Sequence, residues 1–238
     1  MSSSKKSSAA PPPSRLSTSE FEYLLFRSPR RRRLSVQITP AGEVVVRTPL
    51  HLPHETVELF LNKYASWIKQ KILGARQNPP HCFSEGEEFY YLGAPYRLFF
   101  GDSGSHSIKF DEAFVVAEEL SDKAGELLVN WMRRQASKYL EKRTPELAAA
   151  HNLQYNRMSL NDAGTNWGSC SAKGYLRFNW RLIQCPPEII DYIIVHELAH
   201  LREMNHSPRY WALVARMYPN YEKPKNWLKR NASRLRLL

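Results

Sequence analysis

Residues 187–204 read PEIIDYIIVHELAHLREM, and the rest of the architecture follows from what such a stretch needs around it. Pro186-Pro187-Glu188 opens a helix, with proline where a first turn tolerates it. The residues that follow are apolar on most sides, and a helix apolar nearly all round is buried. Histidines are unusual in such a place. His196 and His200 stand about 40° apart around the axis, so both imidazoles leave one face a turn apart. Glu197 is one step round from His196. The segment is therefore H-E-x-x-H, a pattern of which roughly 0.02 copies are expected by chance from this composition. That is rare enough to build on.

Two imidazole nitrogens at this spacing can reach one Zn²⁺ at about 2.0–2.1 Å, while the Glu197 carboxylate is placed for a water and not for the metal. A hydrolytic zinc also needs a third protein ligand and an open position. Glu203 faces nearly the same way as His196, but a continuous helix carries it about 10 Å along the axis. His206 would lie about 280° from His196 on that helix, so it can ligate only if the helix breaks first. Asn205 tolerates the left-handed conformation that ends helices. Ser207-Pro208 then supplies a cap and first-turn proline for a new helix, RYWALVARMY. A reversal between Met204 and Ser207 brings His206 back, which makes it the expected third ligand; Glu203 and Glu222 are the alternatives. The same H-E-x-x-H-x5-H spacing occurs in metzincin peptidases, but Glu203 stands where they carry glycine, so the turn here must differ. The expected chemistry is zinc-dependent hydrolysis, with metal ligands His196, His200 and His206 and Glu197 as general base. Tyr192, Tyr210 and Arg209 are candidates to stabilise the oxyanion. Asp191 and Asn179 are candidates to hold the second nitrogen of a ligating histidine, or else cap and turn residues.

Working outward, residues 1–19 (MSSSKKSSAAPPPSRLSTS) have almost nothing to bury and are expected to be a disordered tail. FEYLLF, LSVQI and EVVVR follow a period of two and predict three strands. Residues 54–76 are helical in period, and EFYYLG, PYRLFF, SIKF and AFVVA return to strands between Gly and Pro. Ser121-Asp122 can cap a long helix to about Arg143, and Thr144-Pro145 starts a further helix through Ala150. YNRMSL predicts a strand, and NWGSCSAKGYLRFNW a hairpin turning at Lys173-Gly174. The predicted class is α+β. After the tail comes a β-rich N-terminal portion with one helix, residues 20–118, and then a metal-binding catalytic portion, residues 119–238. In the catalytic portion, strands 165–171 and 175–180 are candidates to pair with an extended peptide. Cys170 is a poor candidate nucleophile beside a complete zinc site.

The net charge of +11 sits at the ends of the chain. Residues 1–33 hold eight Lys/Arg against two acids, and residues 202–238 hold nine against two, while the middle is slightly acidic. Such ends suit an anionic partner such as nucleic acid, or are simply a solvated tail and a solvated terminal helix. No stretch approaches the roughly 18 apolar residues of a membrane helix. The absence of an apolar N-terminal run and the three cysteines, none spaced C-x-x-C, lead to the expectation of a cytoplasmic chain without a disulfide framework.

The stretch WGSCSAKGYLRFNWRLIQCPPEIIDYIIVHELAHLREMNHSPRYW resembles the YgjP-like family of metallopeptidases, distant relatives of SprT-type proteases. The basic RRR run, VVVRTP and YLGAPYRL extend the resemblance, more weakly, over residues 21–235. Asn166 stands where arginine is expected before WGSCS. The resemblance implies a zincin-like core, zinc, ligands matching His196, His200 and His206, a catalytic Glu197, and a peptide or protein substrate. Two other functions compete: hydrolysis of a non-peptide amide or ester at the same zinc, and a non-enzymatic, nucleic-acid-associated zinc-binding module.

Overall fold

The computed structural model describes residues 11–39, 41–77, 79–163 and 166–235. The chain separates into two units, one ending at Pro80 and the other starting at His81. The strands of residues 88–117, expected with the N-terminal portion, thus fall in the second unit, where they share a core with the long helix that follows them.

In the first unit, β1 (Ser14–Ser17), β2 (Glu22–Ser28), β3 (Ser35–Ile38) and β4 (Val44–Pro49) form a sheet in the order β1-β2-β4-β3. Only the β2–β4 pairing is parallel. Tyr23, Leu25, Val44 and Val46 alternate onto one face and pack with Val57, Leu61 and Ile68 of α1 (His54–Lys63) and α2 (Ala65–Gln77). The helix expected over 54–76 is thus two helices, parted at Tyr64. Part of the segment expected as a disordered tail, residues 1–19, is ordered. Residues 1–10 lie outside the described residues, but Ser14–Ser17 pairs antiparallel with β2. A Ser-rich segment has little to bury, yet its backbone can satisfy a sheet edge, and Arg15 adds ion pairs to Glu22 and Glu43.

In the second unit, β5 (Glu88–Tyr91), β6 (Ala94–Gly101), β7 (Ile108–Phe110) and β8 (Phe114–Ala117) form a sheet ordered β5-β6-β8-β7. Its Phe89, Leu98, Phe114 and Val116 pack on Leu128, Met132 and Ala136 of α3 (Ala124–Ala150). This helix runs straight through Thr144-Pro145, where a new start was expected. Leu140, Thr144 and Ala148, spaced by four, are all buried on one face, and that packing outweighs the loss of one amide donor at Pro145.

The C-terminal half of the same unit has a sheet ordered β10-β11-β9, made of β9 (Arg157–Asn161), β10 (Gly168–Cys170) and β11 (Tyr175–Asn179). Against it lies α4 (Pro187–Ala199), with α5 (Pro208–Met217) and α6 (Glu222–Leu235) following. As its sequence predicts, α4 is buried on most sides: Ile189, Ile190, Ile193, Ile194, Val195 and Leu198 sit in one cluster with Leu176, Phe178, Val214 and Leu228. The start of α4 is fixed by the two-residue turn between β5 and β6. The Leu92 and Gly93 amides donate to the carbonyls of Ile183 and Gln184 at 2.8 and 3.2 Å. Gly93 has φ +87°, and a Cβ there would meet Pro186 at 2.8 Å, so only glycine serves. Six helices and three sheets among the described residues make the α+β class plain. No helix among them is long and apolar enough to cross a membrane.

Candidate metal centre

The helix that carries H-E-x-x-H stops sooner than its sequence suggests. α4 ends at Ala199, with His200 as its cap. The amides of Leu201, Arg202 and Glu203 bond back to Leu198 and Ala199 in a tight turn. Asn205 does not adopt the expected left-handed conformation, so the break comes from this turn, several residues earlier. Ser207 and Pro208 behave as predicted: the Ser207 side chain accepts from the Tyr210 amide, and proline occupies the first turn of α5. The reversal brings His206 back beside the two helical histidines. One nitrogen from each of His196, His200 and His206 lies within 4.8 Å of the others. The Nε2 atoms of His196 and His206 are 3.1 Å apart. Two ligands on a tetrahedral centre at zinc–nitrogen distances are separated by about 3.3 Å.

The protonation of the group suits a cation. Burial, then the neighbouring His200, His206 and Lys225, pushes the His196 imidazole down to about 3. Burial also lowers His200. Neutral imidazole is the ligating form. The His200 Nδ1 lies 3.0 Å from the Glu203 carbonyl oxygen; a carbonyl only accepts, so Nδ1 carries the hydrogen and Nε2 keeps its lone pair. Glu203 therefore acts through its backbone. The His196 Nδ1 is buried with no hydrogen-bond partner. Neither candidate for that role serves it: Asp191 takes a two-pronged bond from Arg143, at 2.8 and 2.7 Å. Three imidazole nitrogens converging within 4.8 Å fit a zinc-like divalent ion.

Around the histidines lies an aromatic cradle. Tyr210, fully buried, stacks on His200 with ring centres 4.5 Å apart and an interplanar angle of 24°. Its hydroxyl donates to the His196 carbonyl oxygen at 2.9 Å. This makes Tyr210 a positioning residue; among the described residues no hydrogen bond engages the side chains of the other two oxyanion candidates, Tyr192 and Arg209. Trp211, which the sequence did not single out, lies 5.6 Å from His206.

Glu197 is buried, and burial pushes its carboxyl up to about 8. The space for it is made by Gly168 on β10. A Cβ at that glycine would stand 2.5 Å from Glu197 Oε1 and 2.6 Å from Cγ. β10 pairs with β11 on one side only, whereas β11 is paired on both, so of the two candidate strands only β10 offers a free edge. A cleft of about 410 Å³ lies between this edge and α4, lined by Gly168, Ser169 and Cys170 on one side and by the histidines and Glu197 on the other. Burial and the neighbouring Glu197 raise the Cys170 thiol to about 11, which makes it a poor nucleophile. A hollow of about 510 Å³ in the first unit is lined by already paired charges, Arg15 with Glu22 and Lys69 with Glu20, and among the described residues no cluster of metal-ligating groups gathers there.

Asn179, fully buried, holds the approach to β10. Its amide nitrogen donates to the carbonyls of Ala163 and Asn166 at 2.7 and 3.3 Å, and its side-chain oxygen accepts from the Arg181 amide. The cap reading of this residue is the one realised. Asn179→Ala strands these groups, and is expected to cost about 2–3 kcal/mol of stability in denaturant unfolding. Amide exchange across Trp167–Cys170 should quicken; exchange there at the wild-type rate would count against this anchoring.

Comparison with known proteins bears on what such a site is for. Two solved structures are similar to part of the chain. The metallopeptidase zymogen abylysin of Pyrococcus abyssi is 20% identical, with TM-score 0.37, over 40% of this chain and 96% of that one. The metallopeptidase zymogen jannalysin of Methanocaldococcus jannaschii is 22% identical, with TM-score 0.33, over 39% and 94%. No curated protein matches. The family model described as YgjP-like, metallopeptidase domain, matches residues 32–231, the greater part of the sequence. The chain belongs to the YgjP-like metallopeptidase family.

Proposed function

We propose that this chain is a zinc peptidase in which His196, His200 and His206 hold the metal and Glu197 is the general base. The observation that carries the reading is the convergence of three imidazole nitrogens within 4.8 Å, beside a buried carboxyl for which Gly168 leaves room. When bound, a zinc ion supplies Lewis acidity, polarising a carbonyl and making water a stronger acid, with a pKa near about 7. A cation held by the three imidazoles would favour the Glu197 carboxylate, opposing the effect of its burial. Glu197 takes a proton from the attacking water and passes it to the amide nitrogen as the carbon–nitrogen bond breaks. An extended peptide adds to the free edge of β10 through main-chain hydrogen bonds, which sets its carbonyl across the cleft from Glu197. Peptide or protein substrates are the class the family indicates. Nothing in the family match or in the cleft supports the nucleic-acid reading of the basic ends.

The test is metal content measured alongside hydrolysis of a mixed pool of unfolded proteins. One zinc per chain is expected. Stripping it with a chelator should abolish hydrolysis, and returning zinc should restore it. Full hydrolysis by metal-free protein would sink the proposal.

A further inference from the structure

The peptidase reading leaves unused the charge that follows the metal helix. Residues 202–238 hold nine Lys/Arg against two acids. Among the described residues none of these cations pairs with a carboxylate; every ion pair lies earlier in the chain. One of them is held close to the metal centre. Lys225, near the start of α6, sets its Nζ 3.9 Å from the centre of the Trp211 ring and 5.8 Å from that of Tyr221. Those two rings stack at 5.3 Å and 18°. Trp211 in turn lies 5.9 Å from the His196 ring. Separations of 3.9 and 5.9 Å put the ammonium no more than 9.8 Å from His196.

A lysine on a surface loses side-chain freedom when it pairs, and that loss cancels much of the attraction. Lys225 has already lost part of it, because the indole face holds its ammonium by cation–π attraction. The side chain nevertheless remains exposed. An extended peptide rises about 3.3 Å per residue, so 9.8 Å from His196 is about three residues of substrate. We propose that Lys225, seated on Trp211, is a specificity residue that selects substrates carrying a carboxylate within about three residues of the scissile bond. The carboxylate can come from an Asp or Glu side chain or from a free C-terminus. The inference rests on the peptidase reading for its substrate, though not for its contact.

The experiment uses the zinc-loaded full chain and short peptides matched as Asp or Asn, each with a free or an amidated C-terminus. Hydrolysis is compared in wild type, Lys225→Met and Lys225→Arg, and binding to the Glu197→Gln protein, with and without Lys225→Met, is followed by calorimetry. Wild type should favour the carboxylate member of a pair roughly fivefold in kcat/KM at low salt, mostly through KM. The preference should fade by about 0.5 M salt, vanish in Lys225→Met and return in Lys225→Arg. An Asp–Asn difference assigns the side chain, and a free–amidated difference assigns the terminus. Equal ratios in wild type and Lys225→Met overturn the inference while sparing the peptidase reading. So does an oligonucleotide that binds through Lys225 where acidic peptides do not. A chain that cleaves no peptide, yet binds acidic ones through Lys225, overturns the peptidase reading alone.

Discussion

Glu197→Gln is expected to keep one zinc per chain and to lose turnover by about 10³-fold, within the range that a positioned acid–base group contributes. Glutamine has nearly the shape of glutamate, so it fits the space under Gly168 that the carboxyl occupies. The three imidazoles are untouched, and their convergence depends on the turn after Ala199 and on the cap at Ser207, not on Glu197. What changes is proton affinity: a neutral amide cannot take the proton of the attacking water. The fold should be no less stable, because a buried carboxyl is itself costly to ionise. Turnover on an unfolded protein, zinc content and the melting temperature together check this. A variant with turnover within tenfold of wild type would remove Glu197 from the mechanism. A variant that lost its zinc would instead show that the residue helps to build the centre.

The site was legible where its signals are local. His196 and His200 share a helical face by spacing alone, and Ser207-Pro208 announces a new helix whatever precedes it. His206 could be placed from that pair of facts. The way the chain reaches it could not be read. Asn205 offered a local route to a break, but the break is made by a turn closing on Ala199, and the Glu203 backbone serves His200 within it. The same competition explains Pro145. Thr-Pro is a fair local start signal, yet the buried face of Leu140, Thr144 and Ala148 carries α3 through it. β1 was hidden because its composition says nothing, and only pairing with β2 gives it form. Asn179 and Asp191 each carried two readings in sequence, and their actual partners, Ala163, Asn166 and Arg143, are choices made by packing. The α+β class survives all of this, since it rests on long runs of period two and a single strongly apolar helix.

Gly168→Ala is the sharper test of how the centre is assembled, and it is expected to lower kcat/KM by about 100-fold with zinc retained. Nothing in the sequence relates residue 168 to residue 197; the approach exists only in the fold. The backbone at Gly168 does not adopt a left-handed φ, in contrast to Gly93, so alanine meets no conformational strain there. The cost is steric. The new methyl would stand 2.5 Å from Oε1, 2.6 Å from Cγ and 2.8 Å from Cδ of Glu197, so the whole carboxylate end must turn away or β10 must lift. Glu197 is only 4% exposed, and a close-packed surround gives it nowhere easy to go, so stability should fall by about 1–3 kcal/mol. A displaced base would no longer meet the water, whereas the atoms nearest the new methyl all belong to Glu197, so the histidines should still bind metal. Two sites in contact do not add. Shortening Glu197 to alanine removes the atoms that collide, so Gly168→Ala should cost almost nothing in stability when made in Glu197→Ala. Equal destabilisation in both backgrounds, measured by denaturant unfolding, would mean that the glycine serves β10 and not the base.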